Sequence, residues 1–404
     1  MKPTTTRQRG ALAAALLALI AFVAGCAAPQ ATRVTDELPF EQAVVQATDG
    51  LVSQTQTLPA FLAKVESKIA KRGVVLDPML DAGSGQQTGA TQTLEKQVTE
   101  HMTAKYDQIE ILPFQSSNLG KAQYLLTGTM TRVQTARSKK AALKINLALT
   151  ELRSGNVVAQ SSAVARDEGL DHNPLPYYRD SPVLLAKDKV VDGYVRTSAT
   201  APGQRADATY LERIATATLI NEATTLYNSE RYQDALGQYR SALATPAGEQ
   251  LRVLNGIYLT NVKLGRMKEA EQAFGRVVAM GIAYNELGVK FLFNPGSTEF
   301  WSDTRISGAY GMWLRQIARE ATLAKACMNI IGHTSRTGSE QANDALSLQR
   351  AAYVKQRLSS EAAELAARTK PVGMGFRQNI VGSGSDNSVD ALDRRVEFKI
   401  VPCE

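Results

Sequence analysis

At 404 residues the chain is too long for one ordinary domain, and about 100–200 residues per domain leaves room for two or three. Its 44% hydrophobic and 21% charged residues are ordinary globular composition, and three histidines leave little material for a metal centre. The net charge is +7, but the first 25 residues hold three basic and no acidic side chains, so the rest carries only +4; without a clustered basic face, that argues against nucleic-acid binding.

Lys2, Arg7 and Arg9 precede an apolar run of 13 residues, Ala11 to Val23. Spanning a bilayer takes about 20 residues, whereas this length suits the apolar core of a secretory leader. The run ends in Val23-Ala24-Gly25-Cys26. Small residues before a cysteine resemble the lipobox of bacterial lipoproteins, which implies that Cys26 becomes the acylated N-terminus after cleavage of residues 1–25. An ordinary leader with a chance cysteine is the alternative. Ala27, rather than Asp, follows the cysteine. By analogy with lipoprotein sorting this implies the outer membrane, with the chain held by its lipid on the periplasmic face. Residues 26–38 read as a tether.

From 39 to 205 the pattern alternates. Phe61, Leu62, Val65 and Ile69 share one helical face, and Val74-Val75-Leu76 is a short strand ended by Asp77-Pro78 and the Gly-rich stretch at 82–85. A helix follows over about 90–105, and strands over 109–114, 124–133, 142–149 and 157–164. In Leu143, Ile145, Leu147 and Leu149 every second side chain is apolar, as in a half-buried strand. Arg153-Ser154-Gly155-Asn156 makes a hairpin of the last two, giving an α/β domain with an antiparallel meander. The stretch from Pro174 to about 205 has no period and reads as a loop or linker.

From 206 to 285 the apolar period becomes helical. Tyr232, Ala235, Leu236, Tyr239 and Leu243 are echoed by Met267, Ala270, Glu271, Phe274 and Val278, an offset of 35 residues. This resembles the tetratricopeptide repeat, whose unit is about 34 residues, with a helical bundle of accidental spacing as the alternative. Such arrays need about three units to bury their ends, so two imply docking on a flanking domain.

Over 286–404 the order is βαβα and at least one more strand, a βαβαβ domain: a strand at 289–293, a turn at Asn294-Pro295-Gly296, a helix at 306–324, a strand at 328–332, a helix at about 340–367 and a strand at 395–401. Ile331-Gly332-His333-Thr334 is followed by Asn343-x-x-Leu346-Ser347-x-x-Arg350-Ala351-x-x-Val354-x-x-x-Leu358, and Asp393-Arg394-Arg395-Val396-Glu397-Phe398 closes the chain. These passages resemble the peptidoglycan-association motif of OmpA-like domains and its closing strand, where the family has Asn in place of Asp393. Leu346, Ala351, Val354 and Leu358 have core spacing, and Asn343 with Ser347 suits a helix start.

The resemblance implies a peptidoglycan-binding set of Arg350, Ser335, Asn343, Thr334 and Asn294. In the family the arginine takes a carboxylate of the diaminopimelate in the stem peptide, as a guanidinium fork can; an internal salt bridge is the alternative. The family carries Asp where Ser335 stands, and a serine brings no charge to the ligand's ammonium. That loss implies binding weaker by about 1.5–3 kcal/mol, or a differently charged stem peptide, unless Asp344 or a carbonyl substitutes. Restoring Asp at 335 is then expected to tighten binding. Apart from Cys26, the chain has Cys327 and Cys403. In an oxidising compartment an even pair reads as a disulfide, with two free thiols as the alternative. If the second and last strands pair antiparallel, both cysteines come to the same end of the sheet.

No catalytic set emerges. His101, His172 and His333 lack ligand spacing, Gly83-Ser84-Gly85 lacks a phosphate-loop lysine, and Asp77 with Asp81 reads as a strand-end turn before it reads as a carboxylate pair. No cofactor or metal is expected. Strand order and texture over 39–205 are similar to lipoproteins of curli secretion and penicillin-binding-protein activation, which implies binding to other envelope proteins. The expectation is a non-catalytic outer-membrane lipoprotein tethering that membrane, or an envelope complex, to peptidoglycan. The alternative is a regulator or assembly factor of a wall synthase, secretion apparatus or flagellar structure.

Overall fold

The computed structural model describes residues 37–55, 71–134 and 141–403. The leader, Cys26 and the helix expected over 61–69 lie outside the described residues. Leu38, assigned to the tether, already belongs to the fold: its N–H donates to Val164 O at 3.0 Å, and Arg166 N–H donates to Leu38 O at 2.8 Å.

Helix α1 (Phe40–Thr55) buries Phe40, Ala43, Val44, Ala47 and Leu51, the three-and-four spacing of one helical face. Strands β1 (Arg72–Leu76), β2 (Leu80–Asp81), β3 (Ile109–Pro113), β4 (Tyr124–Gln134), β5 (Ala141–Glu151) and β6 (Val157–Arg166) form one sheet. Its order is β3-β1-β4-β5-β6, with β2 beside β4. β1 runs parallel to β3 and β4, and β4-β5-β6 is the expected antiparallel meander. Helix α2 (Gly89–Lys105) starts in a capping box in which Thr88 and Thr91 exchange side-chain and backbone hydrogen bonds.

Two expectations need correction, and they are linked. The stretch after Pro174 is not a linker: it contains α3 (Lys189–Ser198) and buries Tyr177, Tyr178, Val183, Leu184, Val190 and Tyr194. Nor is β5 half-buried, because α3 covers the second sheet face. Thr127, Thr129 and Thr150 are buried there; Thr129 Oγ1 meets Ser198 Oγ at 2.9 Å, and Tyr194 Oη bonds both the N–H and the C=O of Gly128 at 2.9 Å. The covering helix meets small hydroxyls rather than an apolar stripe, so alternation along the strand reports only one of its two buried faces.

Helices α4 (Ile214–Asn228), α5 (Tyr232–Leu243), α6 (Leu251–Lys263) and α7 (Met267–Ala283) follow. Of the five echoed pairs, Ala235 with Ala270 and Tyr239 with Phe274 are fully buried in both members, whereas Met267 is exposed. A Cβ at Gly256 would lie 2.3 Å from the Tyr239 ring, so glycine lets that ring reach the α6 backbone. Phe274 stacks on Trp313 at 5.5 Å, and Trp313 Nε1–H donates to Tyr258 Oη at 2.8 Å. The helices therefore dock directly on the C-terminal region, sharing one core with it.

That region holds β7 (Phe291–Leu292), α8 (Tyr310–Leu323), β8 (Cys327–Gly332), α9 (Glu340–Glu361), β9 (Thr369–Gly373) and β10 (Arg395–Val401), with sheet order β7-β10-β8-β9. β10 is antiparallel to β7 and β8, and β9 parallel to β8. The helix expected from 306 breaks before Tyr310, and β9 adds a strand to the βαβαβ order. Val401 pairs with Cys327, and Cys327 and Cys403 form a disulfide.

Candidate functional site

The C-terminal end of β8 and the start of α9 bring the motif residues together. A Cβ at Gly332 would lie 1.9 Å from Ser347 O, so only glycine lets α9 approach the strand this closely. Ser339, not Asn343, caps α9 by accepting from Ala342 N–H at 3.2 Å. Asn343 instead donates to the carbonyls of Thr337 and Ser339 at 2.8 and 2.9 Å and holds the preceding loop. Ser347 Oγ accepts from Gly375 N–H at 2.9 Å, fixing the loop after β9.

Arg350 does not stand on an open rim. It is 0% exposed, and its guanidinium donates to three carbonyls, those of Ser297, His333 and Asn294, each at 2.9 Å. Its partners are backbone atoms rather than an internal acid. Three of five N–H groups are thereby used. The group also lies 5.3 Å from the centre of the Phe293 ring. Burial, then the nearby charge of Arg394, lowers its pKa to about 10, so it stays protonated at neutral pH. Asn294 contributes its carbonyl, while its side chain accepts from Ser302 N–H at 3.0 Å and closes the 294–302 loop.

The residue that the sequence did not single out is Asp386. Ser335 Oγ donates to Asp386 Oδ1 at 2.7 Å and Thr337 Oγ1 to Oδ2 at 3.2 Å, while Arg394 Nη1 pairs with Oδ1 at 2.6 Å. Burial raises the Asp386 pKa, but these hydroxyls and the Arg394 charge outweigh it and hold the carboxyl below its ordinary value. Two further aspartates shape the loop that presents it. Asp393 accepts the N–H groups of Ile380, Val381 and Gly382, and Asp390 those of Ser383, Ser385 and Asp386. Asp386 itself has φ +54°, a left-handed conformation that these bonds stabilise. A Gly-Ser-Gly-Ser run followed by Asp-Asn, with two acids just beyond, was the available signal.

Ser335, Thr334, Asn294, Asn343 and Arg350 thus form one cluster, with Asp386 added across 51 residues of chain. Asp344 does not substitute at position 335; it pairs with Arg377 at 2.7 Å. Thr334 Oγ1 and Asn379 Oδ1 are buried without a hydrogen-bond partner, although Asn379 Nδ2 reaches Thr334 O at 3.2 Å. Orphaned buried oxygens side by side call for a partner such as water or a ligand. The cluster thus holds two buried guanidiniums, Arg350 on three carbonyls and Arg394 on the Asp386 carboxylate. Each histidine faces a carboxylate: His101 on Asp49 at 2.7 Å, His172 on Asp167 at 2.5 Å and His333 on Glu397 at 3.4 Å.

Residues 292–391 match the OmpA family, so the C-terminal part of the chain carries an OmpA family domain. Among solved structures, the peptidoglycan-associated lipoprotein from Burkholderia pseudomallei is similar to this chain, with 22% identity over 28% of this chain and 89% of that one, at a TM-score of 0.24. No curated protein matches the chain significantly.

Proposed function

We propose that this chain is a non-catalytic lipoprotein of the outer membrane that grips peptidoglycan through its OmpA family domain. The observation that carries the reading is the Ser335–Asp386 hydrogen bond. The acid missing at position 335 has a counterpart at 386, on the same hydroxyl, so the charge is relocated rather than lost. Asp386 meets the ammonium of the stem-peptide diaminopimelate. Arg350, enclosed and bound to three loop carbonyls, holds the 294–302 loop and the turn after β8 around the site rather than meeting the ligand itself. Cys26 carries the lipid, and the N-terminal α/β region with the tetratricopeptide-like helices serves as a scaffold for other envelope proteins.

Co-sedimentation with purified peptidoglycan sacculi tests this. Wild type pellets, and Asp386→Asn weakens binding by about ten- to a hundredfold, the worth of one charged hydrogen bond. The relocation changes the expectation for Ser335→Asp, which alone sets two carboxylates side by side and weakens binding. The exchange Ser335→Asp with Asp386→Ser restores it. Wild type remaining in the supernatant sinks the proposal.

A further inference from the structure

A cavity of about 450 Å³ lies between the N-terminal sheet region and the OmpA family domain. Its volume falls within the range of small-molecule sites, roughly 300–1,000 Å³. One wall is apolar: Leu292, Trp301, Ile380, Val381, Val389 and Leu392. Most of these belong to the 380–392 loop whose bonds present Asp386, so the cavity backs onto that loop. The opposite wall carries Gln86, Thr88 and Arg132.

Two buried polar side chains in this lining have hydrogen-bonding capacity to spare. Gln86 is 2% exposed and lines the cavity, and its side chain makes no hydrogen bond among the described residues. Polar groups left this way take water or a ligand as their partner. Lys290 is 4% exposed. Its ammonium donates to the carbonyls of Ser181 and Val183, and one of its three N–H groups remains. Burial lowers its pKa to about 7. Of the other charged residues in the lining, Arg132, His172, Arg179 and Asp303 are paired with opposite charges, and Asp81 is held by neutral donors. Arg132 and His172 share Asp167, Arg179 faces Asp180, Asp303 holds Arg305, and Asp81 accepts from Ser84.

We infer that this cavity is a binding site for a small amphipathic organic anion, its single acidic head on Lys290 and Gln86 and its apolar body against the 380–392 loop. The anion supplies a countercharge to Lys290 and a hydrogen bond to Gln86. A neutral ligand of the same shape gains only the apolar wall. The site does not depend on peptidoglycan binding and can fail or hold separately from it.

The probes are decanoate and decanol, titrated against the full chain by calorimetry. Decanoate binds saturably at one site, about tenfold or more tighter than decanol, the worth of a charge-assisted hydrogen bond. Lys290→Met removes that preference while leaving decanol binding unchanged. Gln86→Leu weakens decanoate by a smaller factor. Leu392→Trp, which fills the cavity and leaves both polar groups in place, blocks both probes, and it serves as the decisive variant should Lys290→Met fail to fold. Absence of saturable decanoate binding, equal affinity for decanoate and decanol, or unchanged decanoate binding in Leu392→Trp overturns the assignment.

Discussion

The two sheet-bearing regions bury ionisable groups in opposite ways. In the C-terminal region the buried arginines have well-filled partner sets. Arg350 has three carbonyls, Arg394 has Asp386, and Arg395 reaches Glu397 at 3.3 Å. In the N-terminal region Asp188 is buried with the N–H groups of Val190 and Val191, but buried Asp77 and half-buried Glu95 have one hydrogen-bond partner each. Asp77 accepts from Tyr210 Oη at 2.6 Å, and Glu95 from Met79 N–H at 3.2 Å. Burial dominates there and raises both carboxyl pKa values, Asp77 to about 7. A buried charge with a full partner set stays ionised and fixes its surroundings, whereas one with a single partner is neutralised instead. The first arrangement suits recognition of a charged ligand; the second makes stability depend on pH.

The largest effect that tests this contrast removes the covalent tie found only in the C-terminal region. Cys403→Ser opens a link between positions 76 residues apart, and on the chain-entropy account costs about 4–5 kcal/mol, read from urea unfolding with and without reductant. A loss under 1 kcal/mol would mean that the sheet pairing of β8 and β10 suffices alone.

Arg350→Ala comes next. It strands three carbonyls and leaves a void, at an expected cost of about 3–5 kcal/mol by the same unfolding measurement. A nearly neutral result would show that the guanidinium is dispensable to the fold and breaks the contrast. This structural role also makes Arg350→Ala an ambiguous probe of wall binding, which is why Asp386 is the better target.

Asp77 gives the opposite sign of evidence. A carboxyl whose pKa is raised on folding contributes stability that is complete below its unfolded value, 3.8, and is lost as pH climbs through about 7. Between pH 4 and 7 the wild type should therefore lose stability relative to Asp77→Asn, by on the order of 1 kcal/mol per pH unit. Parallel stability–pH curves for the two proteins would show that Asp77 remains ionised.

The smallest effect belongs to an exposed pair. Arg377 and Asp344 are 42% and 44% exposed, so Arg377→Ala should leave the melting temperature almost unchanged, and more nearly so at high salt. Thermal melts at two ionic strengths check it. A larger loss would place Asp344 in the site after all.

Much of the architecture was legible. The meander, α2, the helices from 214 to 283 and the β8–α9 unit follow from apolar period and turn residues, because those patterns report which face each element buries. The Cys327–Cys403 link followed once β8 and β10 were expected side by side. The stretch after Pro174 misled because α3 meets threonines and a tyrosine hydroxyl instead of an apolar stripe, so its contact leaves no period. Helix α1 passed unnoticed because alanine, threonine and glutamine dilute its apolar face. At the site, the position of Arg350 was legible from its motif, but its three carbonyl partners were not.

By itself the amino-acid sequence determined the kinds of elements and their order, the residues that could carry charge, and the serine standing where an aspartate was expected. Only the tertiary structure decided which charge meets which: that Asp386 faces Ser335 from a distant loop, that Arg350 is enclosed, and that Lys290 sits on two carbonyls with no carboxylate beside it among the described residues. The physical reason is range. Helix and strand periods arise between neighbours a few residues apart, whereas the partner of a buried ion is set by how whole elements pack, and no local pattern records it.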